Sequence, residues 1–442
     1  MTTDPTALLT QQGRELLARI ADEAEAASSS PLALAERLRR EYPADLVATA
    51  MAQRELRLAA EAKFSRAAQM LFTRAGYEQS SSEAVARYRA SRLGGASRIA
   101  DLCCGIGGDL IALAAPGAAA GAAPRDVLAV DRDETHARLA LHNAAVYGRA
   151  EHVTVVVADV RDVPLAGVDA VFIDPARRSG AGTASAHDAR RFRAGTSEPP
   201  LDWCLALADQ VEAVCIKAAP GIPAELIPPD WEAEFIAEAR DLKEAVLWSP
   251  SLASAPPGAH GPRRATVLTP STARHAPHTP LVPRTLVAHP GDPVPLREPG
   301  EYLLDPNPAV TRAGLVEDLA RDLTRDLTRD LARGLGGDVA KIDPQIAFLT
   351  LDADVRTPFA RTLRVLHSAP WHEKQFAKRL RELDVGAVDI RRRGLAGDVD
   401  QIRRRLKLAG RTRATIVITR VNDKPWGLIC IDPDVGPDVD QT

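Results

Sequence analysis

Ile99-Ala100-Asp101-Leu102-Cys103-Cys104-Gly105-Ile106-Gly107-Gly108-Asp109 passes from an apolar run into a glycine turn, then into the alanine- and leucine-rich Leu110 to Ala115. That order predicts strand, turn, helix. Glycines let a backbone approach a ligand closely, and the N-terminus of the following helix aims bare N–H groups at it. A glycine pattern alone is a weak signal. Here three acids stand at the ends of later apolar runs: Asp131, Asp159 and Asp174. A glycine turn with an acid at successive strand ends describes a nucleotide-like site on an open α/β sheet.

Working outward, the apolar runs Arg98–Leu102, Val127–Asp131, Val153–Asp159, Val168–Asp174, Ala213–Lys217, Ala233–Ala237, Ala245–Trp248 and Ala265–Thr269 read as strands. Helical patterns separate several of them, notably Glu134–Tyr147 and Leu201–Gln210. Continuous apolar strands alternating with helices predict a Rossmann-like, doubly wound, mostly parallel α/β sheet over residues 96–270. Residues 1–95 read as helices. Leu16, Ile20 and Ala24 share a face, Leu32 to Tyr42 gives a second helix, and Val47 to Phe72 a third. Ser80 and Glu83 form a capping box before a fourth helix through Ala84 to Tyr88.

Beyond the sheet, the proline- and histidine-rich residues 271–300 read as a linker or extended excursion. Residues 321–331 then repeat Arg-Asp-Leu-Thr, placing Leu319, Leu323, Leu327 and Leu331 on one helical stripe that Gly334 ends. A solvated amphipathic helix accounts for that repeat. Residues 301–442 are expected to form a small α+β domain. Its last part reads helix, strand, helix, strand, strand through Trp371–Leu383, Ala387–Arg391, Val399–Leu408, Ala414–Val421 and Trp426–Ile431.

The 442 residues carry a net charge of −3, but residues 371–420 hold 14 Lys/Arg against 6 Asp/Glu, a local +8. Arg391-Arg392-Arg393 and Arg403-Arg404-Arg405 with Lys407 concentrate it. The asymmetry points to a phosphate-rich partner, RNA being the expected one, with a solvated basic face as the alternative. A 45% apolar content supports a sizeable core. The first residues lack the apolar stretch of a signal peptide, and no run is long enough for a membrane span. Five cysteines without a CxxC pair suit a reducing cytoplasm and indicate neither a disulfide framework nor a metal site; His187 also lacks partners at ligand spacing.

A dinucleotide fingerprint places its acid about twenty residues after GxGxxG. Here the pattern is Asp-x-x-x-Gly-x-Gly-Gly-Asp and Asp131 lies well beyond that distance. Asp101 to Asp109 instead resembles the first motif of the class I S-adenosylmethionine-dependent methyltransferases, and the resemblance covers roughly Ile99 to Thr269. It implies S-adenosyl-L-methionine as cofactor. Asp101 would sit near the methionine amine, and Gly105 and Gly107 would let the loop hug the cofactor, with Asp109 closing the motif. Asp131 would accept from the ribose hydroxyls, and Asp159 would contact the adenine amine. The chemistry agrees, because the ammonium, diol and exocyclic amine are donors and carboxylates accept. For any single Asp a helix cap or turn former is the simpler reading; three in series are not explained that way.

Asp174-Pro175-Ala176-Arg177-Arg178 resembles the Asp/Asn-Pro-Pro-aromatic motif of methyltransferases acting on nucleobase amines. The resemblance gives Asp174, Pro175 and Arg177 catalytic roles, Asp174 orienting the target amine for in-line displacement. Ala176 replaces the second proline and Arg177 the aromatic, so Arg177 would stack on a base, clamp a phosphate or form a salt bridge. Residues Lys63 to Arg89, followed by the glycine motif, are similar to the RNA cap guanine-N2 methyltransferases. Tyr302 to Arg312, through Arg393-Gly394 and Ile416–Val421, is similar to the THUMP-like domain of bacterial methyltransferases, which implies RNA binding.

The expected activity is therefore methyl transfer to a base amine in RNA. Transfer to a protein or small-molecule amine, and a non-catalytic RNA-binding scaffold, are the alternatives. Cys103, Cys104, Trp203 and Trp248 are expected to pack; Lys217, at the sheet's carboxyl edge, is a further candidate to face the site. Oligomeric state is not legible.

Overall fold

The computed structural model describes residues 4–26, 30–117, 123–177, 197–258, 261–271, 281–329, 338–395, 398–406 and 408–433. Arg178, His187, Lys407, Leu331 and Gly334 lie outside the described residues, as does the side chain of Arg177.

Five helices come first: α1 (Gln11–Ala26), α2 (Pro31–Leu38), α3 (Ala44–Ala60), α4 (Arg74–Gln79) and α5 (Glu83–Arg92). The third is shorter than the apolar pattern predicts. After Ala60 the chain turns, and the extended backbone near Phe72 finds side-chain partners instead of helical ones. The Gln53 amide both donates to Phe72 O at 2.6 Å and accepts from Phe72 N at 2.9 Å, while Arg57 donates to Met70 O at 2.8 Å. Buried backbone polar groups are thus satisfied without a helix. The cap of α5 also differs: Ser82, not Ser80, accepts from Val85 N. Glu83 turns away to accept from both the backbone N–H and the hydroxyl of Ser65 at 2.8 Å.

The larger sheet follows. Its parallel strands are β1 (Arg98–Leu102), β2 (Asp126–Asp131), β3 (Val153–Val157), β4 (Ala170–Ile173) and, beyond the small strands β5 (Ala176–Arg177) and β6 (Ser197–Glu198), β7 (Ala213–Ala218). The helices between them are α6 (Leu110–Leu113), α7 (Glu134–Val146) and α8 (Leu201–Ala206). The sheet continues through β8 (Glu232–Glu238), β9 (Asp241–Trp248), β10 (Pro257–Gly258), β11 (Gly261–Pro270) and β12 (Leu281–Val287). From one edge the order is β3-β2-β1-β4-β7-β9-β8-β11, where β9 runs antiparallel to both neighbours and β12 pairs antiparallel with β11. Alternate residues feed the two faces. Ala100, Leu102, Val171, Ile173 and Val214 point one way; Ile99, Val127, Ala129, Phe172 and Trp248 point the other, toward α5 and α6.

Strand β12 corrects the reading of residues 271–300 as a linker. Val282 to Val287 pairs residue by residue with Thr269 back to Arg264. Pro283 is tolerated because β12 is an edge strand, where a missing N–H leaves no broken ladder.

The C-terminal elements are β13 (Tyr302–Pro306), α9 (Pro308–Ala313), α10 (Val316–Arg329), β14 (Ala340–Lys341), β15 (Leu349–Leu351), β16 (Ala360–Pro370), α11 (Glu373–Glu382), β17 (Val385–Arg392), α12 (Val399–Leu406), β18 (Thr412–Val421) and β19 (Lys424–Ile431). Seven strands form a second sheet in the order β14-β15-β13-β16-β19-β18-β17. Phe376 and Leu380 of α11 and Ile402 and Leu406 of α12 cover one face of it. The leucine stripe of α10 is not solvated. Leu319, Leu323 and Leu327 are buried with Val310 of α9 against Phe235, Ala265 and Leu286 of the larger sheet.

Candidate active site

A cavity of about 800 Å³ opens over the carboxyl ends of β1, β2, β4 and β7. It lies where the strand order reverses, the place at which open α/β sheets bind ligands. The turn between α4 and α5 and the β8–β9 hairpin form its far wall.

The glycine turn supplies the floor. Cys103, Gly105 and Gly107 have φ of +64°, +53° and +85°. At Gly107 an added Cβ would stand 3.0 Å from the Cα of Ala140, so glycine is needed for packing as well as for conformation. A Cβ at Gly105 would meet no atom of the described residues within 4 Å, and Gly105 lines the cavity. Cys104 is buried as expected, whereas Cys103 lines the cavity in a left-handed conformation that side chains rarely adopt.

Asp101 at the end of β1 is fully buried, and neither carboxylate oxygen has a hydrogen-bond partner among the described residues. Burial, reinforced by Asp109, Asp174 and Asp131, pushes its carboxyl well above the usual range. A buried acceptor pair aimed into a cavity without a donor is suited to a cationic ligand group. Asp131 at the end of β2 accepts from Gly105 N at 2.8 Å and from Asp133 N at 2.9 Å. The turn is thereby tied to the second strand, and each oxygen keeps a further lone pair. These features fit an S-adenosylmethionine-type cofactor: Asp101 for the ammonium, Asp131 for the diol and the glycine turn for close approach.

The other expected cofactor residues stand differently. Asp109 lines the cavity, but its carboxylate is taken by the buried guanidinium of Arg89. Asp159 accepts from Arg161 N at 3.0 Å and pairs with the Arg161 guanidinium at 3.1 Å, shaping its own turn, and it lines the cavity together with Ala158 and Val160.

Asp174 follows β4, and its backbone N–H donates to Leu102 O at 3.2 Å. Its Oδ2 accepts from Lys217 Nζ at 2.6 Å, and both residues line the cavity. Burial works against that ammonium, but Asp174, Asp109 and Glu244 outweigh it and the Lys217 pKa is raised. Pro175 and Ala176 line the cavity. The backbone of Arg177 pairs with Ser197 in the β5–β6 hairpin.

Sequence reasoning missed Arg89 and Glu244. Arg89 pairs with both Asp109 and Glu244 and is 1% exposed. It interrupts the apolar run Val85, Ala86, Ala90 on the inner face of α5, and that charge on a buried stripe was the available signal. Trp248 is buried and donates to Glu234 at 2.9 Å, and Trp203 packs at the core's margin, so both are packing residues.

Comparison with known proteins places these features in context. The family described as RNA cap guanine-N2 methyltransferase matches residues 96–196, a THUMP domain-like family matches residues 360–431, and a domain of unknown function matches residues 2–60. Two relatives from Mycobacterium tuberculosis strains are each described as an uncharacterized S-adenosylmethionine-dependent methyltransferase. They are 33% identical over 360 residues, covering 80% of this chain and 85% of the relative. A crystal structure assigned to a methyltransferase from Porphyromonas gingivalis W83 has the same fold, with a TM-score of 0.70 at 20% identity over 95% of this chain and 99% of that one.

Proposed function

The chain belongs to the S-adenosylmethionine-dependent methyltransferases, and from that premise we propose that it methylates an exocyclic amine of a base in RNA. One observation carries the reading: Asp174, in an Asp-Pro pair after β4, stands in the cofactor cavity with one oxygen held by Lys217. The match to an RNA methyltransferase family and the basic THUMP-like segment support RNA as the substrate.

The cofactor, when bound, would supply an electrophilic methyl group on a sulfonium, and the methylated amine would give its surplus proton to solvent. The residues supply geometry. Asp174 Oδ1 accepts one N–H of the amine and turns its lone pair toward the methyl. Asp101 and Asp131 would hold the cofactor's ammonium and ribose, and the Asp159 turn would border the adenine. Because the proton can be lost after transfer, no strong general base is needed.

The test is transfer of radiolabelled methyl into an extract of cells lacking this gene, followed by separation of RNA, protein and small molecules, with Asp174→Ala alongside. Label in RNA that disappears with the mutant is the expected result. Label confined to protein or small molecules would overturn the RNA substrate, and an unlabelled extract despite intact cofactor binding would favour a non-catalytic scaffold.

A further inference from the structure

Lys217 ends β7 with only 13% of its side chain exposed, and it lines the cavity. An ammonium carries three N–H donors. Among the described residues its one hydrogen bond goes to Asp174 Oδ2. Asp174 Oδ1 has no partner among them, and 32% of the Asp174 side chain is exposed. Side by side on the cavity wall there are thus an open acceptor and open donors. Asp174, Asp109 and the buried Glu244, which pairs with Arg89, together outweigh burial and raise the Lys217 pKa. That fixes the ammonium as charged while leaving its remaining donors to the cavity.

An acceptor beside a donor matches one kind of amine. A base amine has an N–H next to a ring nitrogen or carbonyl that accepts. An aliphatic amine has no such neighbour, and once protonated it is repelled by the lysine. We propose that Lys217 is a specificity-determining residue: it donates to the ring acceptor beside the target amine while Asp174 Oδ1 takes the amine N–H. The assignment rests on the base-amine reading above. It selects aromatic amines carrying an adjacent acceptor over lysine-like amines.

The test uses the full chain and total small RNA from cells lacking the gene, with poly-lysine as the aliphatic probe. Radiolabel incorporation gives kcat/KM for wild type, Lys217→Met and Lys217→Arg, and calorimetry gives adenosylhomocysteine affinity. A charged hydrogen bond lost to a well-placed acceptor should lower kcat/KM on RNA about 100-fold in Lys217→Met. Adenosylhomocysteine affinity should stay within about threefold, and Lys217→Arg, which keeps the charge and donors, should recover at least a tenth of the wild-type value. If wild type labels RNA and Lys217→Met labels it equally well, the lysine assignment falls alone. If Lys217→Met loses adenosylhomocysteine in step with activity, or Lys217→Arg does no better than Lys217→Met, the lysine is structural and the assignment falls. If wild type labels poly-lysine and not RNA, the base-amine reading falls and takes this one with it.

Discussion

Arg89, on a helix that precedes the catalytic sheet, is buried against Asp109 at the end of the glycine turn. The same guanidinium reaches Glu244 on β9 and stands 5.3 Å from the ring centre of Phe172. One side chain thus joins the N-terminal helices, the cofactor turn and the antiparallel strand.

Removing that charge leaves two buried carboxylates unpaired. Arg89→Met should cost about 3–5 kcal/mol, the range for breaking a buried ion pair. Urea denaturation measures it. A loss below about 1 kcal/mol would show that the pairs are as weak as surface ones.

The two glycines of the turn should fail differently. Gly107→Ala adds a Cβ against the Ala140 backbone at a φ of +85°, so stability falls by more than the roughly 1–2 kcal/mol of a left-handed alanine. Gly105→Ala meets no atom of the described residues, so it should lose only about that much stability. Its cofactor affinity should fall further than its stability, because the methyl competes for cavity space. Thermal unfolding with and without adenosylhomocysteine separates the two; equal behaviour would contradict the geometry.

Asp101 sets a pH dependence. Its native pKa is raised, so in the free protein the native state holds a proton that the unfolded state has lost, and this contribution to stability falls as pH rises through the native pKa. The cofactor ammonium reverses the balance by pairing with the ionised carboxylate. Adenosylhomocysteine affinity should therefore rise as the pH is raised above the ordinary carboxylate range. Asp101→Asn should flatten that rise, weaken binding about 10- to 100-fold and leave the free protein at least as stable at neutral pH. Calorimetry across pH checks it, and an unchanged slope in the mutant would remove Asp101 from the ammonium site.

The exposed arginines of α12 should act as phosphate contacts. Arg403 and Arg405 make only rim pairs with Asp400 and Glu373, which are worth little in water. Replacing Arg403, Arg404 and Arg405 with alanine should weaken RNA binding across sequences and lower the slope of log affinity against log salt by up to about 3. Fluorescence anisotropy over a salt series gives the slope. No change would place the RNA elsewhere.

A chain ending at residue 300 should not fold well, although the sequence invites that cut. Leu304, Val310, Leu319 and Leu323 lie beyond it and are buried in one cluster with Phe235 and Ala265. Low solubility and a lowered melting temperature are expected, and a well-folded product would mean this packing is dispensable.

Composition and order were enough for the parallel strands β1, β2, β3, β4 and β7, the glycine turn and the acids at strand ends, because a buried parallel strand must be continuously apolar and a close backbone approach requires glycine, but not for the proline-bearing edge strand β12. The methyltransferase family was legible through the resemblance of Asp101 to Asp109 to that family's first motif, and the basic C-terminal segment through its charge count. Which acids remain open was settled in three dimensions. Asp101, Asp109 and Asp159 look alike in sequence, but only Asp101 is left without a donor, since Arg89 arrives from 20 residues upstream and Arg161 from within the next turn. The leucine stripe of α10 shows an apolar face and not its partner. The pairing of Lys217 with Asp174 joins residues 43 apart across two neighbouring strands. Local patterns are fixed by backbone periodicity and solvation, whereas partners are chosen by long-range packing, which brings distant charges into a low-dielectric interior where each must be met or left for a ligand.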